Sequence, residues 1–127
     1  MIFSTVRTRI MINVRRIYDP EGPGEGYRVL VDRLWPRGIS RGEASWNEWM
    51  KEVAPGNELR KWYGHDPSRW DSFKARYKKE LSSRQDLLLK LLQLERNHGT
   101  LTLLYSSREQ HYNNAVALRE FLMKYEV

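Results

Sequence analysis

Three segments of the chain carry the apolar patterning of β-strands. Residues 10–18 alternate roughly between apolar and polar positions, which predicts a first strand. Residues 27–34 and 100–105 contain nearly unbroken apolar runs, such as Val29-Leu30-Val31. Such continuity is typical of strands covered on both faces, as in a parallel sheet. The segment 19–26 between the first two strands holds three glycines and two prolines, which predicts a loop.

Apolar positions at helical spacing follow in the second half of the chain. The first such helix presents an aromatic core face formed by Trp70, Phe73, Tyr77 and Leu81. Its start is predicted at Asp66-Pro67, where a capping carboxylate precedes proline at the first helical position. The leucine-rich segment 83–98, which ends at Gly99, and the segment 111–125 are predicted as two further helices. The leucine-rich helix is apolar on all sides, which indicates burial or a partner surface.

Two shorter helices are predicted before this region. Ser45-Trp46-Asn47-Glu48 has the form of a capping box, so we expect a helix over residues 46–53 that ends before Pro55-Gly56. Asn57 is placed to cap a short helical turn, and Gly64 is placed to end it in the left-handed conformation.

The order of elements is strand, strand, helices, strand, helix. A helical crossover between apolar strands predicts an α/β fold, namely a single small sandwich whose mainly parallel sheet of three or four strands is flanked by helices. Residues 11–127 are expected to form one domain. Residues 1–10 are expected to be a flexible extension, because Met11 would also make a plausible start.

Composition narrows the chemistry that the chain can perform. It has no cysteine, which excludes disulfides, thiolate metal sites and cysteine nucleophiles. Its three histidines are too scattered to indicate a metal site, and no pattern for a cofactor is present. No segment approaches the ~18 apolar residues of a membrane helix, so we expect a cytoplasmic protein without a membrane partner.

The net charge of +6 is concentrated in the first third of the chain. Residues 1–41 hold eight arginines and no lysine against four acidic residues, a balance of +4. Arginine is the residue best suited to bind carboxylate or phosphate groups through two parallel hydrogen bonds. A small basic protein can also be basic for solubility alone, so the charge by itself does not identify a partner.

The polar residues that follow the second and third strands are the main candidates for a site. Asp32-Arg33-Leu34-Trp35-Pro36-Arg37-Gly38 follows the second strand, and Ser106-Ser107-Arg108 follows the third. Ligands of open parallel sheets bind at the carboxyl ends of the strands, so the two segments converge if their strands are neighbours. In the alternative interpretation, Asp32 forms an internal ion pair with an arginine that stabilises the loop.

We predict the following roles at this edge. Arg33 and Arg37 bind an anion, Asp32 orients them, and Trp35 forms a stacking wall. Ser106 and Arg108, with the amides that open the last helix, complete a cradle for the anion. Asn113 and Asn114 either contact a polar ligand or cap that helix. The other tryptophans that have helical spacing are expected in the core.

His65 and Asp66 are the predicted catalytic pair. Histidine changes charge near neutral pH and serves as a general acid or base, and Asp66 is placed to orient it. In the simpler alternative, Asp66 caps the following helix and His65 is a neighbouring loop residue.

Two long motifs resemble a known family. Residues 27–38 and the segment Glu58-Leu59-Arg60-Lys61-Trp62-Tyr63-Gly64-His65-Asp66 are similar to the YeaO-like bacterial proteins, part of the family called domain of unknown function 488. The likeness continues through residues 102–105 and 113–115. The family has no established activity, so the resemblance implies a fold and a site region without a reaction. Arg60, in the second motif, joins the predicted substrate-binding residues.

One departure from the wider family concerns thiol chemistry. The resemblance implies that broader members of the family have a cysteine, histidine and arginine cluster after the last strand. Ser106, Ser107 and Arg108 occupy that region here, so the resemblance does not imply thiol chemistry for this chain.

Three functions follow as hypotheses. The first is binding, with possible processing, of a phosphate- or carboxylate-bearing small molecule at the strand ends. The second is nucleic-acid binding through the basic faces of residues 7–41 and 69–79. The third is a non-catalytic interaction module that uses the leucine-rich helix 84–97. The chain is expected to be a monomer or a homodimer.

Overall fold

A four-stranded, entirely parallel sheet forms the centre of the protein. The computed structural model describes residues 9–125. The strands are β1 (Ile12–Arg16), β2 (Tyr27–Leu30), β3 (Glu48–Trp49) and β4 (Leu101–Tyr105), and their order across the sheet is β1-β4-β2-β3. The α/β fold with a parallel sheet is therefore confirmed. The predicted extension falls largely on residues 1–8, which lie outside the described residues.

The central strand β4 explains the continuous apolar runs. Leu101 pairs with Ile12 of β1 on one side and with Tyr27 of β2 on the other, so β4 has no free edge. All five of its residues are buried. Leu103 faces the helices, whereas Leu104 packs on the opposite face with Ile17. Both faces of this strand are covered, as the unbroken apolar pattern predicted.

Four helices cover one face of the sheet. They are α1 (Asn57–Tyr63), α2 (Trp70–Leu81), α3 (Gln85–His98) and α4 (Asn114–Met123). The predicted inner face of α2 is confirmed, because Phe73, Tyr77 and Leu81 are buried. In α3, Leu88 and Leu91 are buried in the same core and three other leucines pack partly against it, namely Leu87, Leu92 and Leu94. The core thus accounts for most of the leucine density of this helix.

The helix starts differ from the sequence prediction: α1 begins at Asn57 itself, with Gly56 as N-cap, and α3 begins at Gln85 rather than at residue 83. Asp66 caps a single 3-10 turn, Pro67–Arg69, and α2 begins only at Trp70. The last helix begins at Asn114 rather than at residue 111, because Asn113 is its N-cap and accepts a hydrogen bond from the Val116 amide at 3.0 Å. The capping interpretations of Asp66 and Asn113 are both confirmed.

The predicted helix over residues 46–53 is wrong. Glu48 and Trp49 form the short strand β3, which pairs with Val29 and Leu30 of β2, and a 3-10 turn follows at Lys51–Val53. The amide of Met50 also donates to the Leu30 carbonyl at 2.9 Å. Because the outer edge of β2 offers unpaired backbone groups, pairing with that edge prevails over the local capping signal.

A buried ion pair closes the amino end of the sheet. Arg28 and Glu25 are 2% and 4% exposed, and Nε of Arg28 donates to the Glu25 carboxylate at 2.9 Å. The same guanidinium donates to the carbonyl and the hydroxyl of Ser45. The Thr102 hydroxyl donates to the Glu25 carbonyl at 2.6 Å. These bonds hold the loop of residues 19–26 against the face of the sheet opposite the helices.

Two glycines of this loop provide a matched stability test. Both have a left-handed backbone, with φ of +77° at Gly24 and +64° at Gly26. A Cβ at Gly24 would meet nothing within 4 Å, whereas a Cβ at Gly26 would lie 2.1 Å from the Thr100 carbonyl oxygen. We expect Gly24→Ala to cost about 1–2 kcal/mol of unfolding free energy, because L-residues disfavour this conformation. Gly26→Ala should cost about 1–3 kcal/mol more, because the carbonyl must move.

Urea denaturation of the two variants measures this difference directly. Equal losses for Gly24→Ala and Gly26→Ala would contradict the close approach of the loop to Thr100.

Candidate functional site

A cavity of about 350 Å³ opens at the carboxyl ends of β2 and β4. Its walls come from the segment after β2, the turn after β4, the C-terminal part of α1 and the start of α4. We call it the strand-end pocket. Seven of the predicted site residues line it, namely Asp32, Arg33, Arg60, His65, Ser106, Asn113 and Asn114. The two polar segments that follow β2 and β4 therefore meet at one edge of the sheet, where ligands of parallel sheets bind.

Asp32 joins three segments of the pocket. Its Oδ2 accepts hydrogen bonds from the Ser106 amide at 2.8 Å and from the Ser106 hydroxyl at 2.7 Å. Its Oδ1 accepts from Nδ2 of Asn114 at 3.1 Å. Among the ion pairs of residues 9–125, none involves Asp32, so the alternative interpretation of an Asp32–arginine pair is wrong.

Burial raises the pKa of the Asp32 carboxyl group. The hydrogen bonds from Ser106 and Asn114, and the nearby charge of His65, act in the opposite direction but do not cancel that effect. The carboxylate is thus well bonded but incompletely solvated, which makes a cationic environment favourable for it.

Arg33 is held by backbone carbonyls rather than by an acid. Its Nε donates to the Pro55 carbonyl and its Nη2 to the Ala54 carbonyl, each at 3.0 Å. Within the described part of the chain, it forms no ion pair with a carboxylate. Carbonyl groups orient the guanidinium without neutralising its charge, so the pocket keeps a fixed positive group.

Arg60 and Lys61 bring two more cations to the pocket from α1. The Nε of Arg60 is buried and, in residues 9–125, it is a polar side-chain atom without a hydrogen-bond partner. Nη2 of Arg60 reaches only Oδ1 of Asn57, at 3.4 Å. Lys61 was not predicted as a site residue, although it adjoins Arg60 within the second family-like motif.

Tyr63 is a further pocket residue that sequence reasoning missed. Its hydroxyl donates to the Tyr112 carbonyl at 2.6 Å, which ties the end of α1 to the segment before α4. Burial, with added repulsion from Glu109 and Asp66, raises the pKa of Tyr63 to about 12. The phenol is therefore neutral at physiological pH and acts as a donor. Its place in the motif of residues 58–66 was the available signal.

Of the predicted pair, His65 lines the strand-end pocket and Asp66 does not. His65 lies exposed at the pocket rim with φ of +58°, directly after Gly64 has ended α1 at φ of +53°. The Asp66 carboxylate is outside the pocket lining, where Oδ1 accepts from the Ser68 amide at 3.0 Å and the Ser68 hydroxyl at 2.8 Å. These bonds hold the pKa of Asp66 below its usual value. The catalytic roles stay predictions.

Trp35, Arg37 and Arg108 line a neighbouring cavity instead. The Trp35 indole donates to the Ile39 carbonyl at 2.6 Å and packs against Trp46, with ring centroids 4.9 Å apart. The Arg41 guanidinium lies 3.9 Å from the Trp35 ring centroid. Trp35 therefore contributes to the aromatic layer on the sheet face opposite the helices, and Arg41 occupies one of its ring faces.

Comparison with known proteins identifies the family. Residues 11–126 match the family model described as "Inactive DUF488-N3 subclade". The chain belongs to this DUF488 subclade. The Escherichia coli protein "Uncharacterized protein YeaO" is 38% identical over 111 residues, which cover 87% of this chain and 96% of that protein. The YeaO-like resemblance is thereby confirmed.

A second relative is more similar over a shorter region. An uncharacterised Mycobacterium tuberculosis protein is 49% identical over 70 residues, which cover 55% of this chain and 59% of that protein. No solved structure gives a significant match.

Two further observations concern metals and membranes. Within residues 9–125, no group of three His, Asp or Glu side chains is arranged to hold a metal ion. No helix of the described region combines the length and the apolar character needed to cross a bilayer.

The raised pKa of Asp32 predicts a specific pH dependence of stability. The folded state holds the Asp32 proton more tightly than the unfolded state does. The contribution of Asp32 to stability is therefore largest below the ordinary pKa of 3.8 and falls as pH rises from 3.8 through the raised pKa. We expect the unfolding free energy of the wild type, relative to Asp32→Asn, to decrease across that window.

Asp66→Asn is the matched control, because the contribution of Asp66 to stability changes with pH in the opposite direction. The pKa of Asp66 is lowered, so its contribution is present above 3.8 and is lost as pH falls through the lowered value. Urea denaturation at several pH values, with a carbon-detected NMR titration of both carboxyl groups, measures the two effects. An Asp32 contribution that grows with rising pH would refute the burial argument.

Proposed function

We propose that the strand-end pocket binds a small molecule that carries a phosphate or carboxylate group. The observation that carries the proposal is an excess of unpaired cations. Arg33, Arg60 and Lys61 line the pocket, and none of them forms an ion pair within residues 9–125. Within the described residues, Asp32 is the single acidic residue of the lining, and its carboxylate accepts hydrogen bonds from Ser106 and Asn114.

Arg33 supports the proposal because its orientation is already determined. The two carbonyl bonds to Pro55 and Ala54 fix one edge of the guanidinium, and within residues 9–125 Nη1 of Arg33 has no hydrogen-bond partner. An oriented guanidinium loses little side-chain entropy when it binds an oxyanion, and such charge-assisted hydrogen bonds are about twice as strong as neutral ones.

Arg60 supports the proposal because the described residues provide few hydrogen-bond acceptors for its guanidinium. A buried donor without a partner costs about 1–3 kcal/mol. The guanidinium has one long contact, to Asn57, while it lines a cavity. An anion bound by the terminal nitrogens of Arg60 would offset part of the cost of burying this group.

The start of α4 adds a further favourable field. Asn113 and Asn114 open this ten-residue helix and line the pocket. The N-terminus of a helix carries a partial positive charge and free amide groups, which favour an anion nearby.

Binding without turnover is the form of the function that the observations support best. The chain has no cysteine, and Ser106 directs its hydroxyl to Asp32. Asp66 uses its carboxylate to cap a turn, so His65 lacks the orienting partner that the catalytic hypothesis gave it. The description "inactive" of the matching subclade agrees with a binding role.

The rival hypotheses gain less support. For nucleic-acid binding, two tryptophan rings already contact cations. The guanidiniums of Arg69 and Arg76 lie 5.1 and 4.1 Å from the Trp62 ring centroid, and that of Arg41 lies 3.9 Å from the Trp35 ring centroid. For an interaction module, Leu89 is the leucine of α3 that is most exposed, at 41%, which is a small apolar surface. Both hypotheses stay predictions.

Phosphate titration of matched variants tests the proposal. At low ionic strength, inorganic phosphate should shift the ¹H–¹⁵N signals of residues 32–34, 60–65 and 106–107. Arg60→Gln should weaken this binding about tenfold or more, because hydrogen bonds to charged groups contribute about 1.5–3 kcal/mol. Lys61→Gln should weaken it less, since its side chain is exposed.

Lys79→Gln is the control, because it removes an exposed positive charge that does not line the pocket. It should leave the phosphate affinity within a factor of two. If phosphate shifts no pocket signals, or if Arg60→Gln behaves like Lys79→Gln, the proposed function is wrong.

A further inference from the structure

A second cavity adjoins the strand-end pocket on the other side of the Ser106–Ser107 turn. It is wide and open, with a volume of about 700 Å³. Among residues 9–125, three arginines line it, namely Arg16, Arg37 and Arg108, and no carboxylate does. We call this cavity the arginine depression.

The two cavities share part of their walls. Leu34, Ser106 and Ser107 line both of them. The side chain of Leu34 is 57% exposed, and the two serines are partly buried. A ligand can therefore extend from one cavity into the other across a short ridge.

The arginine depression is held in place by bonds that leave its charge unneutralised. Nε of Arg16 donates to the Ser107 carbonyl at 3.0 Å, and its guanidinium lies 4.7 Å from the Tyr18 ring centroid. The Tyr18 hydroxyl donates to the backbone carbonyl of Arg37 at 2.7 Å. Among the ion pairs of residues 9–125, none involves Arg16, Arg37 or Arg108.

Six cations with one carboxylate are more than a single anionic group requires. In the described part of the chain, three of them line each cavity, and Asp32, the one acidic residue of the two linings, lines only the strand-end pocket. Like charges that converge without counter-charges destabilise the fold through mutual repulsion. A second anionic group that is tethered to the first binds at high effective concentration and relieves that repulsion.

We propose that the ligand is a small molecule with two linked phosphate groups, one in each cavity. This inference rests on the proposed function, because it assigns the first phosphate to the strand-end pocket. Arg37 and Arg108 determine the preference for two phosphates over one, whereas Arg60 contributes to binding of both kinds of ligand. The exposed Leu34 lies between the two groups.

Calorimetric titration with three ligands tests the proposal and defines the spacing. The ligands are inorganic phosphate, pyrophosphate and a hexose 1,6-bisphosphate. The wild type should bind one of the two-phosphate ligands at least about tenfold more tightly than phosphate, which corresponds to one additional charge-assisted contact. If pyrophosphate binds more tightly, the two phosphates of the natural ligand are directly linked. If the sugar bisphosphate binds more tightly, they are separated.

The variants distinguish this inference from the proposed function. The double variant Arg37→Gln/Arg108→Gln should abolish the advantage of the two-phosphate ligands. It should leave the phosphate affinity of the strand-end pocket, read from the ¹H–¹⁵N shifts of residues 60–65, within a factor of two. Arg60→Gln should weaken all ligands, and Lys79→Gln none. Both arginines of the double variant are exposed and their removal relieves repulsion between like charges, so we expect the variant to unfold at a temperature no lower than that of the wild type.

Three results would overturn the inference. The first is Arg60-dependent phosphate binding without a gain for either two-phosphate ligand, which leaves the proposed function intact. The second is a gain that the double variant retains. The third is a single-stranded oligonucleotide that binds more tightly than both two-phosphate ligands and whose binding requires Arg37 and Arg108. This result would indicate that the ligand is nucleic acid. Absence of any phosphate binding would refute the proposed function itself.

Discussion

The hydrogen bonds of Asp32 are the constraint on which the candidate site depends. One carboxylate accepts from the amide and hydroxyl of Ser106 after β4 and from the side-chain amide of Asn114 at the start of α4. The same Asn114 amide donates to the Val31 carbonyl at 3.0 Å. Three segments that are distant in the chain are thereby held around one cavity, and the burial that this requires raises the pKa of the carboxyl group.

The arginines at the two ends of the sheet differ in whether a carboxylate pairs with them. At the amino end, the buried Arg28 is neutralised by Glu25, and backbone and hydroxyl groups of Ser45 complete its hydrogen bonds. At the carboxyl end, Arg33 is oriented by carbonyls alone, and the guanidinium of Arg60 is incompletely satisfied. A paired buried charge is a structural element, whereas an unpaired cation beside a cavity is available to a ligand. This difference is the physical reason for locating the site at the carboxyl end.

Membership in the subclade described as inactive is consistent with how the site residues are used. Ser106, Ser107 and Arg108 occupy the region in which this chain departs from the cysteine, histidine and arginine cluster expected for the wider family. In this chain, Ser106 instead serves as a hydrogen-bond donor to Asp32, while Ser107 and Arg108 border the arginine depression. The anion binding that we propose for the strand-end pocket depends on its cations and requires no nucleophile.

The sequence alone determined the parallel α/β fold. Strands that are buried on both faces, such as β4, require nearly unbroken apolar runs. A helix that packs on a core requires apolar residues at helical spacing, as at Phe73, Tyr77 and Leu81. The sequence also indicated the edge of the site through the polar residues that end β2 and β4. Local capping signals were decisive at Asp66 and Asn113, but they failed at residues 46–53, where the free edge of β2 recruits Glu48 and Trp49 into the sheet.

Only the tertiary structure decided which cations share a cavity. It separated Arg37 and Arg108 from Arg33, and it added Lys61 from α1. The partners of a charged side chain depend on the packing of distant segments, and that packing leaves no periodic signal in the sequence.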